Sequence, residues 1–384
     1  MKKLIRVTTS DISLYLLLNQ QLRFLSQHYE VVGLSADTGL LHQVEQREGV
    51  RVIELAMRRD ISLLRDMSCL WHMIRIMKRE KPFIVHANTP KGSLLAMIAA
   101  RLTGVPHRIY TVTGLRYQGA SGMGRMLLKT FEKTTCWFAN KVIPEGEGVK
   151  RTLQQDHITS KPLEVLHHGN INGIDTNHFS VEACEEQRQD MRSQMKIGDE
   201  FTFVFIGRIV KDKGMDELAE AMTRLRREGR RCKLILVGWF EKEGQTISEE
   251  HENFFRNNDS IRYVGYRKDV RPYLLAADAL VFPSYREGFP RVVLEAGAMG
   301  LASIVTDING CNEIIVDGEN GIIIPPRNTE ALYEAMLRFV DHPDDVAHMA
   351  SQARARIQER YERSDVHEAI LKMYQSLENE QKSI

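Results

Sequence analysis

Pro283-Ser284-Tyr285-Arg286-Glu287-Gly288-Phe289-Pro290-Arg291-Val292-Val293-Leu294-Glu295-Ala296 carries two glutamates, Glu287 and Glu295, on either side of a Gly-Phe-Pro turn. The apolar run Ala279-Leu280-Val281-Phe282 ahead of it reads as a buried strand, and the residues after Pro290 have helical spacing. A strand that ends in a glycine turn and opens a helix aims backbone N–H groups at one point. One carboxylate then lies on the turn and the other about two helical turns deeper. That arrangement suits a ligand with both an anionic part and hydroxyl groups, such as a phosphorylated sugar.

Outward from this stretch, short apolar runs alternate with longer helical patterns, the signature of parallel α/β architecture. Strands are expected at 4–9, 30–35, 51–55, 83–86, 108–112 and 141–143, then at 201–206, 232–237, 261–264, 279–282, 302–305 and 321–324. Helices are expected between them at 14–27, 62–79, 90–103, 123–137, 214–228, 268–276, 290–299 and 310–316. The charged stretch 182–199 reads as a helix and loop, and helices run to the end at 329–340, 344–360 and 364–378. Two series of strand-helix repeats imply two Rossmann-like, doubly wound domains facing across a cleft. The boundary is expected near Asn172-Gly173-Ile174-Asp175-Thr176-Asn177-His178-Phe179, which is rich in turn formers, giving domains 1–178 and 179–360.

A chain of 384 residues is long for one core, which agrees with two domains. With 43% hydrophobic and 27% charged residues it reads as a soluble globular protein, and no apolar run approaches the length of about 18 residues that spans a bilayer. Met1-Lys2-Lys3-Leu4-Ile5-Arg6-Val7 reads as a first strand interrupted by Arg6, not as a signal peptide. Five scattered cysteines without a Cys-x-x-Cys pair favour a reducing compartment and argue against structural zinc. The near-neutral net charge hides an asymmetry. Residues 1–178 hold 24 Lys and Arg against 15 Asp and Glu, and residues 179–384 hold 28 against 36. The basic half includes Arg58-Arg59, Lys78-Arg79-Glu80-Lys81, and Arg125, Lys129 and Lys133. These charges read either as solvated helix faces or as a half that meets a phosphate-bearing substrate or an anionic membrane surface.

Ile206-Gly207-Arg208-Ile209-Val210-Lys211-Asp212-Lys213-Gly214 has the same plan as the first stretch: a buried strand, a glycine turn and a helix. Arg208 and Lys213 therefore fall at the carboxyl end of the sheet that carries Glu287, the edge where open α/β sheets bind ligands. A guanidinium and an ammonium suit a pyrophosphate. By itself the string reads as surface charge; beside the Glu-x7-Glu stretch it reads as a diphosphate site. In the first half, His86-Ala87-Asn88-Thr89-Pro90-Lys91-Gly92-Ser93 places Thr89 as an N-cap and Pro90 at the first helical position. Lys91 opposes the helix dipole and reads either as a lysine answered by an anion bound beside it or as an exposed lysine that tolerates a small cost. His86 reads either as a substrate contact or as a satisfied core-edge histidine. Thr111-Val112-Thr113-Gly114-Leu115-Arg116 ends another strand and reads either as a loop whose Thr113 and Arg116 line a cleft or as generic loop chemistry. No His-Glu-x-x-His, paired-cysteine or Asp-x-Asp motif supports a metal. The first loop, Thr9-Ser10-Asp11-Ile12-Ser13, lacks the Gly-x-Gly-x-x-Gly of a dinucleotide site.

Together these residues resemble the retaining glycosyltransferases of the two-domain GT-B fold, a group that includes many bacterial polysaccharide enzymes. The matching segments are Gly207-Arg208 with Lys213-Gly214, Glu287-Gly288-Phe289-Pro290 with Glu295, and Asp307 with Gly310-Cys311-Asn312-Glu313 through Asn320-Gly321. Asn172-Gly173-Ile174-Asp175 with Phe179 matches at the crossover. The segment from His86 to Gly92 points toward enzymes that extend lipid-linked oligosaccharides. The resemblance implies that Arg208 and Lys213 bind the donor diphosphate. It implies that Glu295 holds the ribose, and that Glu287 with the backbone of Gly288, Phe289, Pro290, Arg291 and Val292 holds the transferred sugar. The base would lie against the turn containing Tyr266 and Arg267, and residues 361–384 would return to the first domain. Ser13, His86, Lys91, Thr113 and Arg116 would face the acceptor. The chain departs from relatives in its first loop, where Ser10-Asp11-Ile12-Ser13 replaces a glycine pair, and at Thr113, where many carry histidine.

The expected reaction is transfer of a hexose or N-acetylhexosamine, with retained configuration, from a nucleotide diphosphate sugar with a uridine base. The expected acceptor is a glycan or a polyprenyl-diphosphate-linked sugar. No metal, cofactor or nucleic acid is expected. The expected location is cytoplasmic, with peripheral contact to an anionic membrane. A nucleotide-sugar epimerase on the same fold and a non-catalytic scaffold of a glycan assembly complex are the rival readings.

Overall fold

Alternation of apolar runs with amphipathic segments builds two six-stranded sheets among the residues described in a computed structural model, 1–58, 62–180, 185–241 and 246–382. Arg59, Cys184 and the last two residues of the polar tail lie outside that set, as do residues 182 and 183 of the charged stretch. The first sheet contains β1 (Lys3–Ser10), β2 (Glu30–Ala36), β3 (Arg51–Glu54), β4 (Ile84–Ala87), β5 (His107–Val112) and β6 (Lys141–Pro144). The second contains β7 (Phe201–Ile206), β8 (Cys232–Val237), β9 (Ile261–Gly265), β10 (Ala279–Phe282), β11 (Ala302–Thr306) and β12 (Gly321–Ile324). Their orders are β3-β2-β1-β4-β5-β6 and β12-β11-β10-β7-β8-β9, all parallel. Each is the 3-2-1-4-5-6 order of the doubly wound fold. The order reverses between β1 and β4 in the first sheet and between β7 and β10 in the second.

The chain separates into two compact units, Met1–Gly173 with Arg363–Ile384, and Ile174–Glu362. The turn before the first crossing is tied by Asn170 Oδ1, which accepts from Asn172 N at 3.0 Å and Gly173 N at 2.8 Å. In the second unit, strand residues such as Phe203, Leu234, Leu280 and Ile304 are buried among helices on both faces, which explains their unbroken apolar runs. In the first unit the last helix, Arg363–Lys382, supplies Val366, Ile370, Met373, Tyr374 and Leu377 to the core. Their spacing is that of one helix face.

Arg6 is fully buried in the middle of β1. Its Nη1 donates to Tyr374 Oη at 2.9 Å and its Nη2 to Asn88 Oδ1 at 2.8 Å. What interrupts the apolar run in the sequence is thus a buried cation that fastens the last helix to the sheet.

Several expected elements differ from those observed. The helix expected over 14–27 is two, Asp11–Leu17 and Gln21–Leu25, broken at Gln20, whose φ is 64°. The helix expected over 310–316 is a single turn, Cys311–Ile314, and that expected from 268 starts at Arg271. Leu41–Glu48, Glu147–Gln155 and Glu249–Asn257 are further helices that the sequence reading did not pick out. Each buries only a narrow stripe, so few apolar residues mark it.

Glu132, on the helix Gly122–Phe138, is buried and accepts from Tyr110 Oη at 2.7 Å. Burial raises its pKa to about 7 against the smaller opposing effect of that hydrogen bond. A carboxyl whose folded-state pKa is raised binds more protons folded than unfolded between the two values, so stability falls as pH rises from about 4.5 to 7. Glu132→Gln should abolish that segment of pH dependence, as read from denaturant midpoints across the range, and leave the protein the more stable of the two above pH 7.

Candidate functional site

In the second unit the two stretches singled out in the sequence follow β7 and β10, the strands that flank the reversal in sheet order. Loops leaving the carboxyl ends of such neighbours diverge and form a crevice. The loop after β7 carries Arg208 and Lys213; the loop after β10 carries Glu287. Lys213 Nζ pairs with Glu287 Oε1. Ser284 Oγ donates to the same oxygen at 2.8 Å, and Lys213 Nζ lies 5.1 Å from the centre of the Phe282 ring. Both members of the ion pair are largely buried, with side chains 15% and 18% exposed.

Backbone contacts bring the two loops together. Tyr285 N donates to Asp212 O at 2.8 Å, and the Arg286 guanidinium donates to Asp212 Oδ2 at 2.7 and 3.0 Å. Tyr285 Oη donates to Glu217 at 2.5 Å, and burial, then this carboxylate, raises the phenol's pKa. Gly310, at φ +75°, backs the turn from the loop after β11. A β-carbon there would lie 2.7 Å from Gly288 O, Phe289 Cα and Pro290 Cδ. The third quoted segment is thus the floor under the Gly-Phe-Pro turn. Cys311 beside it is fully buried, and burial pushes its thiol pKa well up.

Pro290 is the N-cap of the helix Arg291–Ala298, and Phe289 packs on Tyr361 with ring centres 5.5 Å apart. Arg291 Nε donates to Glu295 Oε1 at 2.8 Å across one helical turn. Val292 is partly buried on the same helix, and Gly288 is partly buried on the turn. Arg208 lies apart from Lys213's partner: its Nη1 meets Glu241 Oε1 at 2.8 Å, and its side chain is 45% exposed. Gly207, at the end of β7, donates its N–H to Val237 O at 3.0 Å.

Tyr266 and Arg267 are exposed after β9. Tyr266 meets Trp239, from the loop after β8, edge-on, with ring centres 5.5 Å apart. Trp239, Glu241 and Ser284 are members of this edge that the sequence reading missed. Trp239 and Glu241 carry no motif, and their only signal is position directly after an apolar run. Among the described residues no cluster of three or more His, Cys, Asp or Glu side chains is placed to hold a metal ion.

In the first unit, Ser13 follows β1 and Lys91 follows β4, again beside the reversal in sheet order. Thr9 and Thr89 meet there: Thr89 Oγ1 accepts from Thr9 N at 2.7 Å, and Thr9 Oγ1 accepts from Gly92 N at 2.9 Å. The helix Pro90–Leu102 is therefore capped from β1, and Thr89, although it is the N-cap residue, does not cap with its own side chain. The anion beside Lys91 is supplied by the chain, Asp66 Oδ1 at 2.5 Å.

His86 lies inside the core. Its Nδ1 meets Tyr374 Oη and its Nε2 meets Thr111 Oγ1, both at 2.6 Å. Burial, and then Arg6, lower its pKa well below the usual value. Of its two sequence readings, this geometry is that of the satisfied histidine, with no ring nitrogen left for an acceptor. Thr113 Oγ1 donates to Asn88 O at 2.9 Å, and Arg116 is exposed.

Where relatives of the resembled family have a glycine pair, Asp11 is fully buried. It accepts from Thr38 N at 2.7 Å, Thr38 Oγ1 at 2.6 Å, Leu40 N at 2.8 Å and Ile12 N at 2.8 Å. Burial alone would raise its pKa, but these hydrogen bonds outweigh it and hold the carboxyl at about 2. The departure builds a structural clasp between the loops after β1 and β2.

Two family descriptions match the chain, "Glycosyl transferase 4-like" over residues 8–145 and "Glycosyl transferases group 1" over 186–356. The Staphylococcus aureus capsular polysaccharide biosynthesis glycosyltransferase CapM is 29% identical over 359 residues, covering 93% of each chain. An Escherichia coli UDP-Gal:α-D-GlcNAc-diphosphoundecaprenol α-1,3-galactosyltransferase is 27% identical over 74% of this chain and 73% of its own. The crystal structure of Anabaena HepE in complex with UDP and glucose superposes with a TM-score of 0.82 at 17% identity, covering 98% of this chain and all of that one. At that identity the last likeness speaks for the fold alone.

Proposed function

This chain belongs to the GT-B glycosyltransferases of bacterial polysaccharide type, and on that premise we propose that it transfers a hexose or N-acetylhexosamine from a UDP-sugar, with retained configuration. The proposed acceptor is a hydroxyl of a polyprenyl-diphosphate-linked sugar on the cytoplasmic side of a membrane. The observation that carries the reading is the Lys213–Glu287 pair, which joins the two switch-point loops. The ammonium is fixed where a leaving diphosphate gathers charge, and the carboxylate where sugar hydroxyls lie. The two hydrogen bonds described at Glu287 both fall on Oε1, which leaves Oε2 to accept from the sugar. The relatives' names support the nature of donor and acceptor, since the E. coli enzyme uses UDP-galactose and a diphosphoundecaprenol acceptor.

In the proposed reaction the bond from the anomeric carbon to the β-phosphate oxygen breaks, and a bond to the acceptor oxygen forms on the same face. The acceptor's proton passes to the departing phosphate oxygen. Lys213 and Arg208 stabilise the negative charge that grows there, with the N–H groups at the start of the helix Arg291–Ala298. No metal is assigned a role, because two cations already face the diphosphate. The Trp239–Tyr266 pair offers an aromatic wall for the base.

A panel of nucleotide sugars tests donor choice. At a hundredfold excess over Kd the donor stabilises the fold by about 2.7 kcal/mol, visible as a rise in Tm. A UDP-sugar should give the largest rise, a chelator should leave it unchanged, and the product's anomeric coupling constant should match the donor's. Epimerised sugar from donor alone would replace this reading with the epimerase one. No nucleotide release with any lipid-linked acceptor would leave the scaffold reading.

A further inference from the structure

We infer that Glu241 sets the affinity for the donor and for the nucleoside diphosphate product by exchanging with their diphosphate for the Arg208 guanidinium. The inference deepens the function proposed above and rests on its assignment of Arg208 to the diphosphate. The two cations of the site are held in different ways. Lys213 and Glu287 are largely buried, on loops whose backbones are bonded to each other. Arg208 and Glu241 are 45% and 30% exposed, with Nη1 and Oε1 2.8 Å apart. Among the described residues Glu241 is the one hydrogen-bond partner of that guanidinium. A buried pair is costly to part, whereas a half-exposed pair separates easily because water takes up both charges. The Arg208 pair is therefore the one that trades its carboxylate for another anion without disturbing the fold.

Glu241 is not a chance surface neighbour of Arg208. Ile209 N donates to Trp239 O at 2.9 Å, and a parallel bridge joins Ile209 to Phe240, so the loop after β8 is laced to the loop after β7. Phe240 is fixed in turn. Its ring meets Tyr263 edge-on with centres 5.2 Å apart, and the Arg256 guanidinium lies 4.1 Å from its centre. Arg256 Nε donates to Glu252 at 2.8 Å, so its charge is already answered and does not compete for Glu241. The backbone that delivers Glu241 is thus tied down, and only the side chain has to swing for Arg208 to change partner. A guanidinium prefers a bidentate anion, and a diphosphate offers it more charge and more oxygens than one carboxylate. The exchange runs toward the diphosphate when donor arrives, and the pair re-forms as the product departs. Glu241 thereby lowers the apparent affinity by the fraction of molecules in which it holds Arg208. Such a device suits a transferase whose product keeps the donor's whole diphosphate and would otherwise leave as slowly as the donor. Trp239, two residues earlier, offers the wall for the base in the proposed function, so one loop answers to both ends of the nucleotide.

The test is a cycle of wild type, Glu241→Gln, Arg208→Ala and the double variant, titrated calorimetrically with UDP, inorganic pyrophosphate and uridine. Glu241→Gln should bind UDP and pyrophosphate about fivefold more tightly, with uridine unchanged, and product inhibition by UDP should tighten by the same factor. In the Arg208→Ala background the substitution should change UDP affinity less than about twofold, since the carboxylate acts through that guanidinium. The salt dependence of UDP binding should steepen in Glu241→Gln, because Arg208 is then no longer neutralised. Glutamine keeps the size of the side chain at a partly exposed position, so Tm should stay at the wild-type value. Weaker UDP binding by Glu241→Gln would overturn the inference and make Glu241 a direct nucleotide contact. Unchanged affinity for both anions, or failure of either to bind, would also overturn it. So would an equal gain in the Arg208→Ala background, which would reduce the effect to general surface charge. Pyrophosphate that obeys the cycle while UDP does not bind would count against the proposed function and leave the role of Glu241 at Arg208 standing.

Discussion

Under the proposed function, replacing Lys213 with alanine should lower kcat by about 10²–10³, the usual consequence of removing one group that stabilises charge as it develops. Lys213 should be the more important of the two cations, because its ammonium is held on Glu287 and over the Phe282 ring, with little exposure to solvent. Arg208, paired with Glu241 and nearly half exposed, works in a higher dielectric, so Arg208→Ala should cost less. Lys213 is also a structural partner, and the two roles must be separated. Lys213→Ala leaves the Glu287 carboxylate without its cation, which destabilises the loop pair as well as the transition state. Adding Glu287→Gln removes the orphaned charge. The double variant should therefore recover Tm but not turnover, and kcat with Tm measured on all four members of the cycle decides the matter. Recovery of both would assign Lys213 to folding alone.

The site was legible in the sequence where its parts lie close together along the chain. Glu287, Gly288 and Pro290 sit within a few residues of the end of an apolar run, and Arg208 and Lys213 stand in the same relation to another. Because both runs are parallel strands of one sheet, adjacency to their ends is adjacency in space. Contacts made across long stretches of chain were invisible. Arg6 reads as a break in a strand, and only the fold brings it Tyr374 from the last helix. Asp11 reads only as part of the first loop, where it departs from the resembled family, and only the fold brings it the N–H groups of Thr38 and Leu40. Lys91 reads either as a lysine beside a bound anion or as an exposed one, and its anion is Asp66 on a neighbouring helix. Charged residues near a strand end can thus be read as a site from sequence, but whether the chain itself satisfies them cannot. The donor half was the more readable because its loops carry glycines that only a close approach of two backbones explains.

Gly214 shows what such a glycine does, and Gly214→Ala should be among the most damaging single-methyl changes at the site. Its φ is +69°, in the left-handed region, and a methyl group there would overlap the carbonyl oxygen of Pro283. The first effect alone is worth about 1–2 kcal/mol. The second is a clash with backbone, which cannot rotate away. Pro283 directly follows β10 and leads into the Glu287 turn, so relief requires the loop after β7 to move off the loop after β10. That motion would break the hydrogen bond from Tyr285 N to Asp212 O and draw Lys213 away from Glu287. A combined loss of about 3 kcal/mol corresponds to a fall in Tm of roughly 6–12 °C for a unit of this size. Turnover should fall with it even at temperatures where the protein stays folded. Gly229→Ala is the matched control: its φ is +75°, and nothing lies within 4 Å of the added carbon. It should show the conformational cost without the loss of turnover. If the two variants behaved alike, the left-handed backbone alone would account for Gly214, and the close approach at Pro283 would have no part in placing Lys213.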